Sequence, residues 1–310
     1  MKIDAIYVSC FRYDIHFTRI CVASIRFWYP QIAIWLVKDE TYGPFDTTEI
    51  ERAWNVRVFP SRLQNLGWGF GKLQVMFQPE GLRCLSLDSD IVFVGRVLDA
   101  LQQYDEDFVV AQSEFTASEV EQQFFPVAGL QKLDPEFKYF GNGFNGGQIV
   151  ATTGKLRRED FDPFMDWGSA SVKYPQTFRM GDQGLTNYVI LKKVREGRAS
   201  LRRLPFMIWP GKPENSAHVR IQDLNDEGPH QQLVHWAGLG WGRTLRTLEE
   251  MPRADLLLHF EKVYYSKIAM GTCFRAVRNS GMWLHQSIIE PGKKIVKRWL
   301  PKTRAGNVCR

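Results

Sequence analysis

A chain of 310 residues with a 44% hydrophobic content is long for one core and short for two full domains, which favours one large α/β domain with a smaller appendage. No low-complexity stretch, internal repeat or run near ~18 apolar residues occurs, which argues against a disordered chain, a solenoid and a membrane span; residues 1–6 also lack the apolar stretch of a signal peptide. The formal charge of +6 is uneven, because residues 261–310 carry a net +9 and leave −3 on the rest, unlike a uniformly basic nucleic-acid binder.

In chain order, residues 3–8 read as a buried first strand. A helical pattern follows through Phe17, Ile20, Cys21, Ser24 and Phe27-Trp28, ended by Pro30. Residues 32–37 form a second strand, Thr48-x-x-Glu51 has the spacing of a capping box opening a short helix, and residues 56–59 are a short strand closed by Pro60. The glycine-aromatic loop Gly67-Trp68-Gly69-Phe70-Gly71 leads into a helix carrying Lys72, Val75 and Met76. Residues 84–87 are a strand ending at Asp88-Ser89-Asp90; 108–111 and 148–151 are further strands, 182–194 a helix and 232–236 a late strand. Alternation of strands and helices predicts an open, largely parallel sheet, whose ligands bind beyond the carboxyl ends of the strands. The cysteines, Cys10, Cys21, Cys84, Cys273 and Cys309, show no CxxC spacing, which fits reduced thiols in a cytosolic protein rather than a zinc ribbon or a disulfide frame.

Roughly one Asp-x-Asp triplet is expected by chance in a chain this long. Asp105/Asp107 and Asp160/Asp162 sit among charged neighbours and read as solvated turns, whereas Asp88-Ser89-Asp90 lies between two apolar runs. Residues two apart in extended chain point the same way, so both carboxylates can converge on one cation; the alternative is a turn cap. Carboxylates packed between apolar segments need a compensating positive charge, which a divalent metal bridging to a diphosphate supplies. Gly141-Asn142-Gly143-Phe144-Asn145-Gly146 matches G-x-G-x-x-G, but a strand follows it instead of a helix. It therefore reads as a loop admitting a ligand close to the backbone, or as a plain tight turn. Asp182 opens a helix and alone reads as an N-cap, with Gln183 beside it offering donor and acceptor groups to a sugar hydroxyl. His235 ends a strand, where a lone histidine is more often structural than a ligand.

Taken together, Lys72-Leu73, Leu85-Ser86-Leu87-Asp88-Ser89-Asp90, Phe144-Asn145-Gly146-Gly147, Gly181-Asp182-Gln183-Gly184-Leu185-x-Asn187 and His235-x-x-Gly238 resemble, in this order, glycosyltransferase family 8, retaining enzymes of the glycogenin and bacterial lipooligosaccharide galactosyltransferase type. The resemblance implies a GT-A fold, a Rossmann-like mixed but mainly parallel sheet flanked by helices, over residues 1–245. Residues 246–310 would be a helical extension ending in a basic tail. The resemblance also implies roles. Val8, Ser9 and Cys10 would line the nucleotide base pocket, Lys72 would reach donor phosphate or sugar, and Ser89 would lie near the ribose. Asp88, Asp90 and His235 would bind Mn²⁺ or a similar ion. Asn145, Gly146 and Gly147 would face the donor sugar, Asp182 would hold its hydroxyls, Gln183 would sit beneath the anomeric carbon, and Gly238 would belong to the donor-closing loop. Two departures stand out: Gly146 replaces the family's usual serine, and Trp241 replaces its diphosphate-binding lysine, leaving Arg243 as the candidate substitute.

The expected activity is transfer of a hexose-type sugar from a UDP-sugar to a saccharide or lipid-linked acceptor in surface glycan synthesis, with retention and without a protein nucleophile; Asp166 stays open as a base. One alternative is self- or protein glycosylation, with Tyr139, Tyr264 and Tyr265 as acceptors, and another is a non-catalytic sugar-nucleotide-binding module. In the tail, Ile295, Val296, Trp299 and Leu300 share one helical face, with Lys293, Lys294, Lys297 and Arg298 mainly on the other. At ~1 kcal/mol per basic residue near anionic lipid, this segment is expected to hold a cytoplasmic protein on the inner face of a membrane; no nucleic-acid partner is expected.

Overall fold

The computed structural model describes residues 1–61, 69–79, 81–225, 228–238 and 247–268. Alternation along the first strand sets the architecture. In β1 (Ala5–Phe11), Ile6, Val8 and Cys10 join one hydrophobic cluster while Ala5 and Tyr7 join another, so the strand is covered on both faces. Helix α1 (Ile15–Trp28) follows, then β2 (Ala33–Asp39), α2 (Thr48–Trp54) and β3 (Arg57–Val58), with β1, β2 and β3 paired in parallel. After a 3₁₀ turn (Phe70–Lys72) and the single-turn α3 (Leu73–Met76), β4 (Arg83–Leu87) pairs in parallel with the other side of β1. The chain continues through β5 (Ile91–Phe93), α4 (Val97–Leu101), β6 (Phe108–Ala111), α5 (Ala117–Gln123) and α6 (Val127–Leu133). Strand β7 (Gln148–Thr152) then inserts antiparallel between β4 and β6. A small hairpin, β8 (Met165–Asp166) and β9 (Ser171–Val172), precedes α7 (Asp182–Arg195), and β10 (Leu201–Leu204) runs parallel to β6 at the sheet edge. The remaining elements are β11 (Met207–Ile208), α8 (Pro213–Ser216), β12 (Leu233–His235) and α9 (Ala254–Lys267).

Among the described residues the main sheet has the order β10-β6-β7-β4-β1-β2-β3, with β7 alone reversed, and a second sheet has the order β11-β12-β5. One face of the main sheet is closed by α1 and α9, the other by α5 and α7. Helix α9 is part of this core: Tyr264 stacks on Trp54 at 5.3 Å and its hydroxyl donates to Glu49 Oε1 at 2.6 Å. The expected C-terminal extension therefore begins inside the packed body. The basic tail, Cys273 and Cys309 lie outside the described residues. No helix among the described residues is long and apolar enough to cross a membrane.

Several boundaries differ from expectation. Strand β1 runs to Phe11, past the apolar run that suggested an end at residue 8. The box at Thr48 does not form, because Thr47 is the N-cap and Glu51 falls one position too late; the Thr47 hydroxyl instead donates to Glu51 Oε1 at 2.7 Å. Cys10, Cys21 and Cys84 are free and buried, as expected for reduced thiols.

Candidate active site

Two backbone ladders meet at Asp88-Ser89-Asp90. The Asp88 N–H donates to the Gly147 carbonyl at 2.7 Å, extending the β4–β7 ladder by one residue. Two residues on, the Asp90 carbonyl accepts from Trp236 N–H at 3.0 Å, and β12 sets His235 opposite Ile91. Asp88 is thus fixed to the main sheet, and Asp90 and His235 to the smaller one. One ligand atom from each of the three lies within 4.8 Å of the others; His235 Nε2 is 3.2 Å from Asp90 Oδ1 and 4.0 Å from Asp88 Oδ2.

His235 is 1% exposed and stacks on Trp209 at 5.3 Å, yet neither ring nitrogen has a hydrogen-bond partner among the described residues. An imidazole buried with both nitrogens unsatisfied is costly, and coordination to a cation shared with two carboxylates removes that cost. Gly147 leaves the room. A Cβ there would lie 2.3 Å from His235 Cε1 and 2.8 Å from Asp88 Oδ2. The donor set fits a divalent cation.

Lys72, 6% exposed, ties this cluster to a second one. Its ammonium is 2.8 Å from Asp88 Oδ1 and 3.5 Å from Asp182 Oδ2, and it donates to the Gly146 carbonyl at 2.9 Å. Burial pulls the Lys72 pKa down, but the carboxylates of Asp88 and Asp182 outweigh it and the net direction is up, so the group stays charged. Burial raises the Asp182 carboxyl in turn, against the pull of Lys72. Asp182 is not the N-cap it reads as when taken alone: Gly181, at φ +54°, holds that position in α7, and Asp182 turns to Lys72. Gly69, at φ +102°, packs so closely on Asp182 that a Cβ would lie 2.4 Å from its Cγ. That brings the end of the glycine-aromatic loop into the site.

The 144–147 loop is knitted to α7. Asn187 accepts from Phe144 N–H and donates to the Phe144 carbonyl, both at 2.9 Å. Gln183 Oε1 accepts from Asn145 Nδ2 at 3.0 Å and from Gly146 N–H at 3.1 Å, while Asn145 Oδ1 accepts from Gly147 N–H at 2.9 Å. The structure therefore brings together Lys72, Asp88, Asp90, Asn145, Gly146, Gly147, Asp182, Gln183 and His235. A Cβ on Gly146 would make only ordinary contacts with Gln183 at 3.8 Å and beyond, so the position has space for the family's serine.

Other expectations shift. Val8 and Cys10 lie inside β1 with side chains in the core, and burial pushes the Cys10 thiol up to about 12; Ser9 alone of the three is partly open. The carboxyl ends of β1 and β2 instead present a cluster of Phe11, Tyr13 and Tyr42, with ring centroids 5.4 to 5.8 Å apart. Ser89 is 4% exposed, and its hydroxyl donates to Asp14 Oδ2 at 2.8 Å, so it is engaged inside the protein rather than open to a ribose. Gly238 stands in a turn at φ +71°, with no described residue within 4 Å of where a Cβ would lie, and Arg243 and Trp241 lie outside the described residues. Asp166 is engaged by Gly168 N–H at 2.9 Å in the β8–β9 turn.

Asp14 was hidden in the sequence, where an aspartate before a helix reads as a cap. It occupies the N-cap of α1 without capping it; Oδ1 accepts from Phe11 N–H at 3.1 Å and Oδ2 from Ser89. Burial, then the charges of Asp90 and Asp88, push its carboxyl up to about 8 against the pull of the Ser89 hydroxyl.

No protein-family model matches the chain, and no curated protein matches it. Among solved structures it is similar to the galactosyltransferase LgtC, solved in complex with donor and acceptor sugar analogues, at 14% identity and TM-score 0.55 over 88% of this chain and 99% of that one. It is also similar to the bifunctional glycosyltransferase WbbM, at 14% identity and TM-score 0.55 over 86% of this chain and 52% of that one. A third likeness is to the glycosyltransferase GlyE of Streptococcus pneumoniae, at 15% identity and TM-score 0.51 over 87% and 64%. The chain has the fold these glycosyltransferases share, as the order of its motifs led us to expect.

Two outcomes follow from this geometry. Gly147→Ala should weaken Mn²⁺ binding about tenfold or more by calorimetry, because it displaces two ligands at once, while Gly146→Ser should bind as the parent does. Equal affinity of parent and Gly147→Ala would place the ion elsewhere. Asp14, with a folded pKa of about 8 above its unfolded value near ~3.9, contributes a destabilisation absent at low pH that grows as pH rises through this window. In metal-free buffer, thermal melts should therefore show Asp14→Asn gaining on the parent from pH 5 to pH 8; a constant difference would contradict the raised carboxyl.

Proposed function

We propose that this protein is a metal-dependent glycosyltransferase that moves a hexose from a UDP-sugar to a saccharide or glycolipid acceptor with retention of configuration. The carrying observation is the convergence of Asp88, Asp90 and His235 at a buried, unsatisfied imidazole, beside Asp182 and Gln183, at the carboxyl edge of a glycosyltransferase fold. The intact ligand set speaks against a non-catalytic module.

Asp88, Asp90 and His235 would hold a divalent cation, which when bound would supply Lewis-acid stabilisation of the departing diphosphate; mixed carboxylate and imidazole ligation would suit manganese. Lys72, charged and within reach of both carboxylate clusters, is placed to exchange Asp88 for a donor phosphate oxygen. Asp182, opened by that exchange, is placed to accept hydrogen bonds from sugar hydroxyls. Gln183 carries its amide oxygen against the donor loop, and that oxygen already accepts two hydrogen bonds. It is a weak nucleophile in this state, which supports attack by the acceptor on the face the diphosphate leaves. The acceptor oxygen bonds to the anomeric carbon as the carbon–oxygen bond to the diphosphate breaks, and the hydroxyl proton departs with the diphosphate. The aromatic cluster of Phe11, Tyr13 and Tyr42 offers a stacking platform for the base.

Self-glycosylation gains little support from the tyrosines. Tyr264 is fully buried against Glu49, Tyr265 is 7% exposed, and the Tyr139 hydroxyl accepts from Gly143 N–H at 3.0 Å. The basic tail, by its sequence, supports peripheral attachment to an anionic membrane, where a lipid-linked acceptor would be found.

Release of nucleoside diphosphate from UDP-sugars should require Mn²⁺, and Asp88→Ala, Asp90→Ala and His235→Ala should each abolish it while far-UV circular dichroism stays unchanged. Full turnover in excess chelator would refute the metal role, and a β-linked product from an α-linked donor by NMR would refute retention. Removal of residues 282–310 should release the protein from anionic vesicles in a co-sedimentation assay while donor hydrolysis persists. Undiminished vesicle binding by the truncated protein would assign the tail another role.

A further inference from the structure

Three side chains away from the reacting centre meet on the connection between β11 and β12. His218 follows α8, Asp223 ends a 3₁₀ turn (Ile221–Asp223), and His230 stands just ahead of β12. Each comes from separately pinned chain. Arg253 donates through Nη1 to the Ser216 carbonyl and through Nη2 to the Val219 carbonyl, which brackets His218. The His230 carbonyl lies so close to Gly95 that a Cβ there would overlap it, and the Gln232 carbonyl accepts from Val94 N–H at 3.1 Å. Asp223 is oriented by Arg220: Oδ2 accepts from Nε at 2.9 Å and Oδ1 from Nη2 at 3.2 Å. Each carboxylate oxygen keeps a further lone pair.

We propose that His218, Asp223 and His230 form a second metal site, and that it takes Zn²⁺. His230 is 8% exposed, and its Nε2 is a buried atom with no hydrogen-bond partner among the described residues. That nitrogen is 3.9 Å from Asp223 Oδ2, too far for a hydrogen bond. Two ligand atoms each ~2.1 Å from one ion lie at most ~4.2 Å apart, so the gap suits a shared ion. It also resembles the 4.0 Å between His235 Nε2 and Asp88 Oδ2. The His218 and His230 ring centroids are 5.6 Å apart, and two imidazoles on one ion can have centroids up to ~6 Å apart. His218 Nε2 is 3.2 Å from Gln232 Oε1, but the side chain is exposed, so a rotamer change brings a ring nitrogen to the ion for the loss of one hydrogen bond. Burial, then the charge of His218, holds the His230 pKa below the ordinary imidazole value against the pull of Asp223, so the ring is neutral and free to ligate at pH 7. Two imidazoles and a carboxylate partly balanced by Arg220 favour Zn²⁺ over Mg²⁺ or Ca²⁺, which prefer oxygen. The ion ties together the connection that leads into β12 and so braces the strand that ends at His235.

The site does not depend on the transferase reading, and its test does not use activity. The tag-free full chain is loaded with Zn²⁺, dialysed against metal-free buffer, and its retained zinc measured by atomic emission. His218→Gln should retain about one equivalent less than the parent, and His218→Gln/His235→Ala about one less than His235→Ala, whatever the reacting centre itself holds. His230→Gln should lose the same equivalent, and His259→Gln, on α9, should lose none. In the His235→Ala chain, Zn²⁺ should raise the melting temperature by about 3 °C or more, since it binds only the folded connection, and His218→Gln should remove that rise. His218 is exposed, so its replacement leaves the fold intact, which far-UV circular dichroism checks. Equal zinc in the parent and His218→Gln, no zinc retained by His235→Ala, or an equal loss in His259→Gln would overturn the assignment.

Discussion

A single buried ammonium holds the site together. Without Lys72, the neighbouring carboxylates of Asp88 and Asp182 would have no fixed positive charge between them. With it, the half of the site built by the metal ligands and the half built by the start of α7 become one electrostatic unit. Asp14 shows the alternative. It has only a hydroxyl and an amide as partners, lies near the charges of Asp88 and Asp90, and is driven toward its neutral form. Asp14 lacks the cation that Lys72 supplies to Asp88 and Asp182.

Backbone pairing places the charges. Asp88 hangs from the last rung of the β4–β7 ladder, and Asp90 and His235 from the β5–β12 pair. The short turn between them is where the chain passes from one sheet to the other. Trp236, fully buried with its indole N–H on the Pro252 carbonyl at 2.6 Å, fixes the far side of that junction. The geometry of the ligands therefore follows from the register of two sheets rather than from side-chain choice alone.

Much of this was legible because apolar runs are short and cleanly bounded. The strand before Asp88, the strand after Gly147, the helix from Asp182 and the strand ending at His235 all fall within a residue or two of their expected places. What escaped was what depends on three-dimensional neighbours. Polar Ser9 and half-exposed Phe11 disguised the true end of β1, so the open positions moved from Val8–Cys10 to residues further on. Ser89 looked available because its partner, Asp14, is distant in sequence and carries the signature of a helix cap. The reversed direction of β7 and the packing of α9 onto α1 leave no local trace, since both are settled by contacts between distant segments.

The reversal of β7 has a consequence for how such a protein diversifies. In a wholly parallel sheet only loops that follow strands reach the ligand edge, and each is bound at its far end to a helix. Because β7 runs the other way, the segment preceding it arrives at that edge, with its register fixed downstream by the Gly147–Asp88 rung. Upstream, Gly141 sits at φ +76° with open space around it. Residues inserted or lost on that side leave the rung, and so the ligand geometry, in place. Length variation there is a route by which descendants of this chain can reshape what they accept without rebuilding the centre that reacts.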